Sequence, residues 1–586
     1  MTSKFRLIPV LLAMAAAPIV GAQTLEQEIT VDHDVVPEHR DVTRRYFTPS
    51  TTLPTIKAKR MNYNTSGVSI RVPGSIPTLD PAAYADTIPT ASWRGYAGLG
   101  YLPTYNLGAV AGYKFIDNDC TRLTGYMQYN GTSYKKRFPF ENSDKASFDT
   151  HTGLIGLTIH QAVGNKSFLD AGIDGIFSRY DMPSAEITSP QNMRNIDLSV
   201  AWSSSTPKFV YRASADISHF GYSNSINIGY PVASASSTEL FEPVNENAFK
   251  LNGFIRTDID TYSSIGLDVD FSVLRNNRRT DAAFSDSQQR YIFSDYGSYS
   301  HALAGFQPYY RFRSGDFNIN LGAQVDFSIN SGKTLHIAPA ISAAWKPGAV
   351  FTAFVKAEGG EHQNTLRSLY DVSPYIAPMM AYENSNIPYD FNAGFTIGTW
   401  QGMYVEVSGG YTRANDWLMP VYDNNLTLAS AVKSTIFKPF DLKGFHWRIA
   451  AGYDYRGIAK LDLTYEGAQQ DYNKGYYLWR DRAKSIVTAD LRVTPISPLD
   501  INIGYTLRTG RKVIDFSRSA DPAISSYNFT QSLGCMRDLR AGALYRIDSQ
   551  WSAFINVTNL LNSKYSLIGG VPAQGISGLV GATYKF

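Results

Sequence analysis

Cysteine is nearly absent from this chain: 586 residues contain only Cys120 and Cys535. A disulfide framework and a cysteine-rich zinc site are thereby excluded. An excess of charge of one sign is missing too, since 54 Lys and Arg face 51 Asp and Glu and leave a net charge of +3. Nucleic acid is not expected as a partner on that balance. The nine histidines are scattered, without a His-x-x-x-His pair or a nearby carboxylate cluster at zinc spacing. No metal or cofactor is expected. No Gly-x-Ser-x-Gly elbow, phosphate loop or adjacent nucleophile and base stands out, so the reading is not an enzyme. Beyond residue 22 no apolar run reaches the roughly 18 residues of a membrane-spanning helix.

What is present begins with a leader. Lys4 and Arg6 precede an apolar stretch from Leu7 to Val20, and Val20, Gly21 and Ala22 form a small-residue cleavage site before Gln23. Residues 1–22 read as a signal peptide cleaved after Ala22, and export without a helical anchor leaves a soluble protein or a barrel. Residues 23–92 carry seven prolines, Pro37, Pro49, Pro54, Pro73, Pro77, Pro81 and Pro89. Proline removes backbone donors and disfavours helix and central strand alike, so this segment is expected to be extended, in the periplasm or the lumen.

From residue 93 to 586 the pattern changes to alternation with period two. Phe317, Ile319, Leu321, Ala323, Val325, Phe327 and Ile329 alternate with Asn318, Asn320, Gly322, Gln324, Asp326 and Ser328. Strands of soluble sandwiches average about five or six residues, whereas a tilted strand crossing a bilayer needs roughly 9 to 11. Runs of this kind predict about 22 antiparallel strands, an all-β outer-membrane barrel. The connections agree, because short links such as 117–119, 164–166 and 346–348 fall after every second strand. Long ones, among them 221–244, 276–301, 359–389 and 510–535, fall between, with short links near Pro103-Thr104 and Ser331-Gly332 as exceptions. Cys120 beside a short link and Cys535 beside a long one are expected at opposite ends, too far apart to bridge. The last strand alternates Val580, Ala582, Tyr584 and Phe586 with Gly581, Thr583 and Lys585. Tyr584 and the terminal Phe586 are candidates for the signal read by the barrel assembly machinery during insertion.

The segment Phe554–Tyr565, with Asn556-Val557 and Asn559-Leu560 followed by Asn562 and Tyr565, resembles the penultimate strand and final loop of TonB-dependent receptors. Gly98 to Tyr105 and the Gly-rich strand behind it resemble plugless receptor-like barrels of Bacteroidota-type bacteria. The resemblance implies a 22-stranded barrel that passes a substrate across the outer membrane. Residues 23–92 are too few for the family's folded plug, which leaves that segment, infolded outer loops or a partner to close the lumen. The alternative is a non-transporting barrel, a subunit or scaffold of an envelope assembly or biogenesis complex. Glu28, Ile29, Thr30 and Val31 have the form of a box that pairs with TonB; a strand pairing elsewhere or a tail has the same form. Inward-facing Asp268, Asp270, Asp326, Asp462 and Asp500 suggest either a cation-lined lumen or the polarity any wet lumen requires. Expected partners are outer-membrane lipid and lipopolysaccharide, the latter met by Arg275, Arg278 and Arg279. Other envelope proteins complete the set, and Gly475–Arg480 offers aromatics for stacking on a sugar or peptide or for an interfacial girdle.

Overall fold

The computed structural model describes residues 93–586 apart from 103–105, 138–144, 165, 183–188, 207, 225, 232–235, 242, 278–299, 377–381, 401, 422–434, 471–482, 517–526 and 568–570. Its first quarter holds β1 (Gly95–Leu102), β2 (Asn106–Asp117), β3 (Thr121–Lys136), β4 (Ala146–Ala162), β5 (Ser167–Met182) and β6 (Ser189–Ser205). There follow β7 (Phe209–Tyr222), a small hairpin of β8 (Ile226–Pro231) and β9 (Ser236–Phe241), then β10 (Asn245–Asp258) and β11 (Ser263–Asn276). The wall continues through β12 (Ser300–Ser314), β13 (Phe317–Ile329), β14 (Leu335–Trp345) and β15 (Phe351–His362). The helix α1 (Leu366–Val372) comes next. After it stand β16 (Ser385–Trp400), β17 (Met403–Val421), β18 (Ile436–Tyr455), β19 (Ala459–Gln470), β20 (Ser485–Ile496) and β21 (Leu499–Thr509). A second small hairpin, β22 (Lys512–Phe516) and β23 (Tyr527–Ser532), precedes β24 (Met536–Arg546), β25 (Trp551–Thr558) and β26 (Ser577–Lys585).

Apart from the two hairpins, every strand pairs antiparallel with its neighbours in sequence, and β1 pairs with β26 to close a barrel of 22 strands. Closure leaves no sheet edge, the condition for placing a backbone in hydrocarbon. The expected barrel is the observed one, and each of the 22 alternating runs is a strand of the wall; the leader 1–22 and the segment 23–92 lie outside the described residues. What the alternation did not show were the hairpins β8–β9 and β22–β23 and the helix α1, all within long connections.

The outer face is the apolar one. Leu99, Ile155, Phe177, Ile217, Ile265, Leu321, Ile337, Phe391 and Ile449 all stand exposed there, Ile337 by 64%. In water such a continuous surface would aggregate; as a belt around a closed barrel it matches lipid. At the end with the short turns the belt is rimmed by rings in contact. Phe115, Tyr113, Phe586, Tyr584 and Trp551 form one chain of stacked, tilted or edge-on pairs, and Phe317, Trp345, Phe351 and Phe395 another of stacked or edge-on ones. These are interfacial girdle residues in position and type.

The closing seam is built from glycine. A Cβ on Gly581 of β26 would overlap the Leu99 carbonyl oxygen, and one on Gly100 of β1 would lie 2.9 Å from the Phe554 ring. Phe554 covers both glycines from inside, packed with Val110, Leu544, Leu579 and Tyr96. The backbones approach closely because no side chain stands between them, and the ring supplies the buried area the glycines lack. The terminal residue completes the seam: Arg94 and Gly95 donate their N–H groups to the Phe586 carbonyl at 2.8 and 2.9 Å, and Phe586 N–H donates to Gly95 O at 3.0 Å.

Candidate functional site

The lumen is polar over much of its wall and unexpectedly apolar in one sector. At the long-loop ends of β4, β5, β6 and β7, inward-facing positions carry Phe148, Tyr180, Met182, Met193, Phe220 and Tyr222, all buried. Their cover is α1 and the residues after it. Leu366, Leu369, Tyr370, Tyr375, Ile376 and Tyr382, from the connection between β15 and β16, pack onto this floor to make the main hydrophobic cluster of the described residues. Since β15 is the thirteenth strand of the wall and β4–β7 the fourth to seventh, the connection crosses the mouth of the barrel.

Local sequence makes the helix stop and start where it does. Thr365 caps it, accepting from Ser368 N–H at 3.0 Å while Ser368 Oγ accepts from Thr365 N–H at 3.0 Å, a reciprocal capping box. Seven residues are too few for a helix to persist alone, so packing holds it. Glu246, inward-facing at the start of β10 and 3% exposed, reaches the helix end from the wall. Its carboxylate accepts from Leu366 N–H at 3.1 and 3.0 Å and also from the Tyr382 hydroxyl. One buried carboxylate thus fastens both ends of the crossing segment, with the negative charge at the helix N-terminus where it is favoured. Asn364 adds bonds to Glu383 O at 2.6 Å and Ser385 Oγ at 2.8 Å, closing the base of the loop. Burial pushes the Tyr370 phenol up to about 12, so it remains neutral in the packed loop.

Two other connections join this lid. Thr435 N–H donates to Tyr375 O at 2.6 Å, its hydroxyl lies 2.8 Å from that of Ser373, and Phe437 enters the apolar cluster. Val571 of the last long connection is in the same cluster, and the Tyr134 hydroxyl donates to Pro572 O at 3.1 Å. The hydroxyls of Tyr180 and Tyr222, beneath the loop, have no hydrogen-bond partner among the described residues.

The proposed lumen acids are spread around the wall rather than gathered. Asp500 on β21 is buried, paired with Arg546 and bonded by Thr494 Oγ1 at 2.7 Å. Asp462 on β19 takes the Tyr404 hydroxyl at 3.0 Å and pairs with Lys460 at 3.3 Å. On the opposite wall, Asp268 and Asp270 lie two apart on β11, and Asp270, Gly305, Asp326 and His336 share one row across β11 to β14. Asp326 is buried and accepts from Gln324 Nε2 at 2.6 Å and Glu361 N–H at 2.7 Å. Cations are interleaved elsewhere, as in Arg448 with Glu406 and Glu466 and Arg540 with Asp490. Among the described residues no three His, Cys, Asp or Glu side chains converge to hold a metal. Cys120 lies exposed at the β2–β3 turn and Cys535 just before β24, both free. Glu28, Ile29, Thr30, Val31, Arg278, Arg279 and Gly475–Arg480 lie outside the described residues; Arg275 sits exposed near the end of β11.

No family model matches the sequence, and no curated protein does. Solved structures do match. A mutant of the ferric enterobactin receptor PfeA from Pseudomonas aeruginosa aligns with TM-score 0.61 and 9% identity over 84% of this chain and 80% of that one. The siderophore receptor PirA from Acinetobacter baumannii gives 0.62 and 9% over 84% and 80%. The FrpB iron transporter from Neisseria meningitidis gives 0.60 and 11% over 84% and 81%. The chain shares the barrel fold of these structures. At these identities the likeness is one of architecture, and the lid over β4–β7 is described from this chain's own residues. Glu246, Tyr382 and the aromatic floor escaped the sequence reading. The available signal was a break in alternation: Phe148, Tyr180, Phe220 and Tyr222 occupy wall positions that a wet lumen fills with polar groups.

Proposed function

We propose that this protein is an outer-membrane receptor of the TonB-dependent type, passing an unidentified substrate through a lumen closed at its outer mouth by the β15–β16 loop. The observation that carries the reading is α1 seated inside the mouth and fastened by Glu246. A barrel of 22 strands with nothing across it would be a wide aqueous hole, since barrels of 16 to 18 strands already conduct. Iron and siderophore receptors are the architectural neighbours, which supports transport over catalysis. In this reading the long connections face outward and the short turns face the periplasm. Glu28, Ile29, Thr30 and Val31 then offer TonB a strand. Tyr584 and Phe586 serve insertion, and lipopolysaccharide covers the outer rim.

Replacing residues 363–384 with a short Gly-rich turn and recording single channels in planar bilayers tests the proposal. A rise from closed to large, steady conductance is expected. An unchanged, closed barrel would show that the β15–β16 loop is not what closes the lumen and would overturn this reading.

A further inference from the structure

The lipid-facing side of the wall turns basic where the strands of the lid's floor reach the long-loop end. On β5, Ile173 and Phe177 face lipid and Arg179 follows at the same parity; on β6, Arg194 precedes Ile196, Leu198 and Val200 on that face. Arg275 closes the lipid face of β11 after Phe271 and Val273. All three arginines are exposed. Arg194 lies opposite Phe177, which puts Arg179 one diagonal step from it, roughly 7–8 Å across the sheet. His151 stands opposite Arg179, and His219 opposite Asn247, itself opposite Arg275. No salt bridge joins Arg179, Arg194 or Arg275 to an acid among the described residues. The acids of that face on β4 and β5, Asp149 and Asp181, sit further out and against each other, where Asp181 shares in the field of Arg179. The short-turn end of the same strands differs. There the lipid face pairs Leu169 with Trp202 and Tyr211 with Ile255, apolar and aromatic residues with no base among them.

We propose that Arg179, Arg194 and Arg275 form a binding band for the phosphates of the outer-leaflet glycolipid, the lipid A portion of lipopolysaccharide. Phe177, beside Arg194, is 49% exposed on the hydrocarbon face, so the guanidinium groups begin where the apolar belt ends, at headgroup level. A guanidinium binds phosphate oxygens in pairs, and two at this spacing grip one phosphate from both sides. Like charges set next to one another across a sheet repel, and an anionic headgroup between them relieves the repulsion. Bases at one boundary and aromatics at the other match a bilayer whose phosphate-bearing glycolipid is confined to one leaflet. The band also has a definite place in the molecule. Arg179, Arg194 and His219 are the chain neighbours of Tyr180, Met193 and Phe220, so the lipid holds the reverse of the floor on which α1 is seated. The inference rests on the reading that lipopolysaccharide covers the outer rim, and on nothing that the lumen carries.

The test uses the full-length protein, refolded in detergent free of lipopolysaccharide, with native mass spectrometry counting bound lipid through a titration. Diphosphoryl lipid A is compared with the same lipid stripped of its phosphates. The wild type is expected to hold the diphosphoryl form at least about tenfold more tightly, and Arg179→Gln with Arg194→Gln to lose at least about tenfold of that affinity. Arg311→Gln with Arg492→Gln, which removes the same charge from the lumen face, is expected to bind as the wild type does. Inorganic phosphate in millimolar excess is expected to leave the lipid in place, and complete release by it would identify a free-anion site and reject the lipid. Equal affinity in the wild type and the rim variant would overturn the band while leaving lipopolysaccharide elsewhere on the rim. A wild type without preference for the diphosphoryl lipid would overturn both. An equal loss in the lumen variant would also reject the band, because net charge alone would then set the affinity. Folding of each variant is checked by its shift on boiling in a denaturing gel. If the rim variant does not fold, Arg194→Gln with Arg275→Gln replaces it under the same criteria.

Discussion

At the scale of single residues, Glu246 is the group on which the lid depends most. Removing its carboxylate strands two donors, the Leu366 N–H and the Tyr382 hydroxyl, in a buried place. Leaving such groups unsatisfied costs about 2–3 kcal/mol, which corresponds to opening of the loop that is on the order of fifty-fold more frequent. Hydrogen exchange at the amides of Leu366 and Leu369 should therefore accelerate by that factor in Glu246→Ala. Unchanged protection would mean the carboxylate does not hold the loop. The floor gives the opposite sign. Tyr180 and Tyr222 bury hydroxyls without partners, so Tyr180→Phe and Tyr222→Phe remove an unsatisfied polar atom while keeping the ring. These substitutions are expected to leave the same amides equally or better protected, and faster exchange in either would show that the hydroxyls are engaged after all.

At the scale of the element, the seam strands β1 and β26 carry the sharpest requirement. Gly581→Val would push a branched side chain into the Leu99 carbonyl, an obstacle that backbone cannot sidestep, and should abolish the heat-modifiable folded band. Phe586→Ala leaves the backbone bonds to Arg94 and Gly95 in place and removes only a girdle ring, so a partial loss of folded protein in the membrane is expected. Normal accumulation would show that the terminal ring is not read during insertion. The strands were legible in sequence because lipid on one face and water on the other force alternation for the full width of the bilayer, as from Phe317 to Ile329. α1 was not, for physical reasons. Seven residues span two turns, too short for a helical period to appear, and the cap at Thr365 answers with Ser368 where an acidic residue would have made the box conspicuous.

At the scale of the whole molecule, location and closure are the properties to measure. Outer-membrane residence predicts that the protein fractionates with membranes and migrates differently before and after boiling; a soluble form indifferent to heat would remove the barrel. Closure has two contributors to separate, the lid and residues 23–92. Deleting residues 30–90 behind an intact leader should raise single-channel conductance only modestly if the lid is sufficient, and steeply if the N-terminal segment also fills the lumen. Loss of co-purifying envelope proteins with conductance unchanged would instead identify the segment as a docking arm. The register of closure carries one more consequence. Tyr96 pairs with Lys585, and Tyr101 with Val580, so the contacts that finish the barrel join residues at opposite extremes of the described chain. Contacts of such high order form last, and until they do the sheet presents two unpaired margins. A chain halted before β26 is therefore expected to remain competent for strand exchange, recruiting the matching margin of a second copy, so that truncation yields paired or aggregated chains where a small loss of stability would leave monomers.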